Sequence, residues 1–370
     1  MERLGYRAEL DGIRALSVIA IMSFHDAIPV LKGGTEILSW FFVLSGFLIT
    51  TLLLEEREKY ATIDLGRFYL RRILRLFPSL YLMLAVFWVL SWTVLRNDCA
   101  NIGAVASCGI EGREFISAGL YFSNLHAIVF GSSSPQIFME HTWSLAMEEH
   151  FYLAWPIVIM LLRRKRDALL FCYIAMAISL AVTFMHAANI WRSPYEILPI
   201  FGLEGFAMGG ILAYQLRNPK LARLIDHRWV LSACLALGLA NLMLIVDKDR
   251  IFTPFRHVVG NTIIAIILYH VVMHRDLFIG KVLRNKQLVY VGLLSYALYL
   301  WHFPVFEMLK AQRHPNIPTP VRHVLKFGIS TLLAMFTYHV VEKPLMAVRS
   351  RLRSRKIPVT PSIGVRVEAS

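Results

Sequence analysis

Three groups of residues in this chain combine side-chain types that can do chemistry. The first lies in DGIRALSVIAIMSFHDA, residues 11–27, an apolar run with Asp11 and Arg14 at one end and His25 and Asp26 at the other. Arg14 and His25 are eleven residues apart, which at about 100° per residue falls within about 20° of three full turns. A helix therefore puts them on one face, roughly 16 Å apart along its axis. Asp11, three residues before Arg14, is placed to pair with it. Histidine titrates near neutral pH and suits proton transfer. Arginine stays charged and offers a planar fork to phosphates or carboxylates.

The second group is RFYLRRILRLFP, residues 67–78, where Arg71 and Arg75 stand at i, i+4 beside Arg72. Such a cluster suits phosphates, and it equally suits anchoring at a membrane surface. The third is HTWSLAMEEHFYLAWP, residues 141–156, with Glu148 and Glu149 about two turns into an apolar helix and Ser144 one turn before Glu148. Adjacent carboxylates in such a setting point to function or to a buried ion pair. The first group also has a plainer reading: Arg14 snorkels to the interface and His25 ends the helix. His302 in SYALYLWHFPV and Glu342 in VVEKPL are compatible with an interhelical hydrogen bond and an interfacial charge. Asp26 is expected in the loop that follows the first helix.

These residues need helices in a membrane to position them. The 370 residues are 56% hydrophobic and 17% charged, with a mean hydropathy of +0.54. Ordinary soluble domains are about 45–50% apolar and about 25% charged. Apolar stretches able to span about 30 Å of hydrocarbon fall at 12–30, 36–54, 76–95, 142–162, 167–187, 196–216, 228–246, 254–273, 288–309 and 324–342. The expected fold is all-α: a polytopic integral membrane bundle of about ten helices spanning 1–348, then a basic tail, 349–370, of disordered composition. The weaker stretch 115–130, with Asn124 and His126, reads as interfacial or re-entrant.

With a cytoplasmic N-terminus, 27 of the 39 Lys and Arg residues fall in inside segments. This positive-inside bias places both termini in the cytoplasm. The net charge of +14 is thus a topology signal with an attraction for anionic lipids, and no nucleic-acid partner is expected. No cleavable signal peptide is expected either. Cys172 and Cys234 fall inside predicted helices, whereas Cys99 and Cys108 share an outside loop and are disulfide candidates. No Cys/His spacing suggests zinc, so no metal is expected.

Taken in order, the blocks resemble the acyltransferase 3 family of integral membrane acyltransferases, which modify surface polysaccharides, lipopolysaccharide and other acceptors. They are RAELDGIRAL at 7–16, His25, FFVLSGFLIT at 41–50, FYLRRILRLFP at 68–78, WSLAMEEHFYLAWP at 143–156, SYALYLWHFP at 295–304 and EKP at 342–344. Ser39 stands where relatives commonly have an Asp, and His150 where they often have Gln. The C-terminal SGNH-type domain of some relatives is not expected here.

The resemblance implies an acyl-CoA co-substrate, usually acetyl-CoA, presented from the cytoplasm. It implies a carbohydrate or glycolipid hydroxyl as acceptor, and residence in a bacterial inner membrane. It carries over His25, Arg14, Asp11, Glu148 and Glu149 as catalytic positions, with His25 as general base. Arg71, Arg72, Arg75 and Ser45 carry over as donor-binding positions. No Ser or Cys occupies a nucleophile-elbow context, which favours direct transfer over an acyl-enzyme. The competing reading is a multi-pass transporter or flippase whose buried charges line a path.

Overall fold

The computed structural model describes residues 4–27, 34–95, 112–131, 138–188, 190, 202–244, 253–311 and 313–353. The disulfide candidates Cys99 and Cys108 lie outside the described residues. Among the described residues every regular element is helical. The long helices are α1 (Ala8–His25), α2 (Gly34–Tyr60) and α3 (Leu65–Leu90), which runs on into a π turn over Ser91–Leu95. Short α4 (Gly112–Gly119) and α5 (His126–Phe130) precede α6 (Thr142–Leu161) and α7 (Lys165–Ala187). Then come α8 (Leu203–Gln215), short α9 (Pro219–Ile225), α10 (Arg228–Leu244) and α11 (Thr253–Met273). The chain closes with α12 (Phe278–Leu283), α13 (Lys286–Leu293), α14 (Ser295–Met308), α15 (Thr319–Thr337), a π turn over Tyr338–Glu342, and α16 (Lys343–Arg353).

Several starts are written locally. The Asp64 carboxylate accepts from the Arg67 N–H to cap α3, and Asn285 accepts from the N–H groups of Gln287 and Leu288 to cap α13. Asn218 caps α9, with Pro219 at its first position. Pro78, Pro156 and Pro304 sit inside α3, α6 and α14, as membrane helices tolerate when neighbours take up the freed carbonyls.

Among the described residues five helices are long and apolar enough to cross a membrane, and the pair α13–α14, bent by 66°, makes a sixth if it counts as one span. The ten sequence windows are therefore not matched one for one. α1 carries Glu9, Asp11 and Arg14, and α6 carries Glu148, Glu149 and His150. α8 and α10 have only 13 and 17 residues. The stretch 115–130 is broken into α4, a 3-10 turn and α5 rather than forming one span.

The α2 helix is the axis of the bundle. Its Val43, Leu44 and Phe47 join a core with α8, α10 and α11, while Phe42, Ile49 and Leu53 join another with α6, α7 and α8. A third core gathers the second half of α1 with α3, α14 and α15. Where α2 crosses α8, a Cβ at Gly46 would strike the Phe206 backbone and one at Gly209 the Val43 carbonyl. Small residues let the two backbones touch, which is how apolar helices gain contact when both face lipid-like surroundings. The α1 helix is seated similarly, since a Cβ at Gly292 of α13 would strike the Asp11 carbonyl.

The start of α1, the end of α2 and the end of α6 lie together at the basic end. The Leu4 N–H donates to Glu55, Arg57 donates to the Ile159 carbonyl at 3.1 Å, and Arg284 pairs with Glu9 at 2.6 Å.

Candidate active site

His25 ends α1 at the end of the bundle away from those basic loops, and α14 brings His302 to it. The His25 Nδ1 and His302 Nε2 are 2.9 Å apart, with the rings stacked at 5.1 Å and 18°. The tautomers follow from the surroundings. His302 Nδ1 is 2.7 Å from the Tyr299 carbonyl and 3.2 Å from the Leu298 carbonyl, so it carries the proton and donates. Its Nε2 is then an acceptor, and His25 Nδ1–H donates to it. That leaves the lone pair of His25 on Nε2, on a ring that is only half-buried. His302 is completely buried and held on both sides.

A third imidazole completes the cluster. His141, just before α6, donates from Nε2 to the Leu300 carbonyl at 3.2 Å and stacks on Phe303 at 5.1 Å. Phe303 also meets His25 edge-on at 5.1 Å. Tyr299 ties this end to α6, because its hydroxyl donates to the His141 carbonyl at 3.0 Å and shares a 2.6 Å hydrogen bond with Ser144.

One turn beyond Ser144 on the same face of α6 stands the carboxylate pair. Arg72 of α3 donates from Nε and Nη2 to Glu149 Oε1, both at 3.3 Å, and lies 3.9 Å from Glu148 Oε1. Its guanidinium also covers the Tyr152 ring at 2.9 Å. Glu148 accepts from Tyr152 and from Ser45 of α2. Ser45, Arg72, Glu148 and Glu149 thus meet in one place, where Arg72 neutralises the carboxylates that would otherwise be costly to bury.

The other sequence candidates distribute as follows. Asp11 and Arg14 form the expected i, i+3 pair at 3.1 Å. The arginine group is split: Arg72 turns into the bundle, whereas Arg71 pairs with Glu56 at 3.5 Å and Arg75 is exposed at the basic end. Glu342 accepts from Ser79 at 3.1 Å, which joins the end of α15 to α3.

Asp26 falls just past the end of α1, as expected, but its burial was not foreseen. It is not a loop charge in solvent: its side chain is 0% exposed, with Lys326 Nζ at 2.6 Å and His323 Nδ1 at 2.5 Å, both from α15. Lys326 supplies the charge that lets it be buried. The Ser39 hydroxyl donates to Asn261 Oδ1 on α11.

Two features were missed in the sequence. His141 precedes a helix and carries no spacing signal toward His302, so only the fold brings them together. A separate buried network joins Glu36, Arg256, His257, Glu204 and Ser179: Arg256 lies 3.3 Å from Glu36, His257 lies 3.1 Å from Glu204, and Ser179 donates to Glu204. Its members come from α2, α7, α8 and α11; Glu36, Glu204, Arg256 and His257 stand near helix starts, where single polar residues look like interface, and Ser179 lies mid-helix.

Comparison with known proteins places the chain in a family. A family model described as an acyltransferase domain matches residues 7–339. The chain is 31% identical to a putative peptidoglycan O-acetyltransferase, YrhL, of Bacillus subtilis, over 95% of this chain and 57% of the relative. It is 28% identical to the peptidoglycan O-acetyltransferase OatA of Listeria monocytogenes, over 92% of this chain and 56% of the relative. A putative O-acetyltransferase of Staphylococcus aureus is 28% identical, over 93% and 58%. The chain therefore spans a little under three-fifths of the length of these relatives. No solved structure matches.

Proposed function

Because the chain belongs to the acyltransferase 3 family, we propose that this membrane protein is an O-acetyltransferase. It moves an acetyl group from cytoplasmic acetyl-CoA to a hydroxyl of an envelope glycan, with His25 as general base. The observation that carries this reading is the directed pair His25–His302, in which a buried imidazole fixed by backbone carbonyls holds the proton of His25 on Nδ1. Nε2 is left to take a proton, and the ring cannot turn without losing that bond.

The chemistry follows. The acceptor hydroxyl gives its proton to His25 Nε2 as its oxygen attacks the thioester carbonyl. The tetrahedral intermediate collapses by breaking the carbon–sulfur bond, and the departing thiolate takes the proton back from the imidazolium. No acyl-enzyme is required. The donor enters from the basic end, where Arg71 and Arg75 meet its phosphates. Its arm extends along α1 from Arg14 toward His25, about 16 Å away. Arg72, already committed to Glu149, holds the wall of that path together with Glu148, Tyr152 and Ser45. Both termini lie on the cytoplasmic side, and all ten apolar stretches belong to the membrane domain.

The glycan acceptor rests on the relatives named as peptidoglycan O-acetyltransferases. Nothing in the comparisons points to a transporter, and that reading is set aside. The test is purified protein in vesicles supplied with labelled acetyl-CoA and soluble peptidoglycan fragments. Label is expected on fragment hydroxyls with wild-type protein and not with His25→Ala. Transfer at wild-type rate by His25→Ala overturns the assignment of the base.

A further inference from the structure

At the basic end of the bundle, far from the histidines of the active site, Asp226, His270 and His274 bring three ligand atoms within 4.8 Å of one another. We propose that these residues form a site for one zinc ion, which clamps the short helix α9 to the end of α11.

His270 lies in the last turn of α11 and His274 just past its end, one turn further on, and their ring centroids are 5.8 Å apart. Asp226, the residue that ends α9, faces both. Its Oδ1 lies 2.5 Å from His274 Nε2 and 3.9 Å from His270 Nδ1.

The inner histidine is prepared as a ligand. His270 Nε2 is 3.0 Å from the Ile225 carbonyl, the residue before Asp226, and donates its proton there. Nδ1 is thereby deprotonated and directed at the carboxylate. A ligating histidine that donates its other N–H to a backbone carbonyl is the usual support of a metal site, because it fixes both tautomer and ring orientation. His270 is buried, whereas the side chains of Asp226 and His274 are 33% and 41% exposed. An ion therefore has an entry path and a coordination position left for water.

The donor set selects the ion. Two imidazoles and one carboxylate suit zinc, while calcium and magnesium favour oxygen ligands throughout. Tetrahedral zinc with ligand bonds of about 2.0–2.1 Å holds its donors about 3.3 Å apart. Binding then requires the Asp226–His274 contact to open by less than about 1 Å and the Asp226–His270 separation to close by a similar amount. The neighbouring His227 does not take part: its Nε2 is turned to the Arg223 carbonyl at 3.1 Å and its ring stacks on Trp229. The third ligand stands 48 residues before His274, so the site has no linear signature beyond a histidine pair at the end of an apolar helix.

The experiment uses the full chain, purified in detergent, with any affinity tag removed and stripped with a chelator. Zinc is titrated in competition with a chromophoric chelator, and cobalt is added as a spectroscopic probe. One ion per chain is expected, with the visible absorption of a tetrahedral cobalt site and a melting temperature raised by zinc. Single variants His274→Ala and Asp226→Asn should weaken binding about a hundredfold or more and abolish the zinc-dependent rise in melting. His227→Ala should leave both unchanged. The melting temperature of each variant without metal reports whether it has folded. Substoichiometric binding by wild type, or equal binding by His274→Ala, overturns the proposal and leaves Asp226–His274 as a hydrogen-bonded pair.

Discussion

Two of the buried polar networks among the described residues differ in how their hydrogen bonds run, and under the proposed function only one of the two is built to react. In the first, His25 donates to His302, which donates in turn to the Tyr299 carbonyl. Every hydrogen bond runs inward from His25, so an accepting nitrogen is left at the half-buried end. In the second, Glu36 and Glu204 face Arg256 and His257, and Ser179 donates to Glu204. There the carboxylates meet cations from another helix. Burial of polar groups is common to both, but only the second buries charge, at a cost of about 2.5–3.5 kcal/mol for each unpaired group at a helix centre. The direction of the hydrogen bonds separates them: a chain with a definite end can move a proton, whereas a closed set of opposite charges ties helices together.

The comparison breaks most visibly at His25. His25→Ala should lower acetyl transfer about 10²- to 10⁴-fold, the range general-base catalysis contributes, with membrane protein levels unchanged by immunoblot. A smaller loss is expected from His302→Ala. His25 keeps its ring there but loses the acceptor that sets its tautomer, and a misplaced catalytic group costs up to about 10²-fold. Measured turnover in this variant should fall while KM for acetyl-CoA stays within a few fold. Equal turnover in His302→Ala would make the imidazole pair a packing feature.

The second network should respond in the opposite currency. Glu36→Gln leaves Arg256 facing an amide in a buried setting, and breaking such a pair costs about 3–5 kcal/mol. A lower melting temperature and lower yield are expected, with turnover per folded molecule close to wild type. A variant that melts normally yet fails to turn over would erase the distinction drawn between the two networks.

Much of the candidate site was legible in the sequence because its parts lie at helical spacing on single elements. The Asp11–Arg14 pair, the Arg14–His25 face and the Ser144–Glu148 turn all follow from about 3.6 residues per turn. Contacts between helices left no such trace. The burial of Asp26 depends on Lys326 and His323, roughly three hundred residues later. The splitting of Arg72 from Arg71 depends on where α6 places Glu149. The ten apolar windows do not map one for one onto the long helices for a related reason: an apolar window does not reveal that α13 and α14 meet at 66° or that α8 has 13 residues.

The split between Arg71 and Arg72 yields the smallest effect. Arg71 and Glu56 are each about one-fifth to one-quarter exposed and 3.5 Å apart, so their ion pair contributes about 0–1 kcal/mol. Arg71→Ala should therefore leave melting almost unchanged. If Arg71 meets donor phosphate, the same substitution should raise KM for acetyl-CoA several fold, by losing a partly exposed, solvent-screened contact worth about 1 kcal/mol. Turnover at saturating donor should stay near wild type, since the lost contact is shared by ground and transition states. Arg72→Ala should do the reverse. It strips the cation from Glu148 and Glu149, so melting falls first and donor affinity follows only as the wall loosens. A KM effect confined to Arg72→Ala would move the donor site inward to the carboxylates and leave Arg71 as an anchor at the membrane surface.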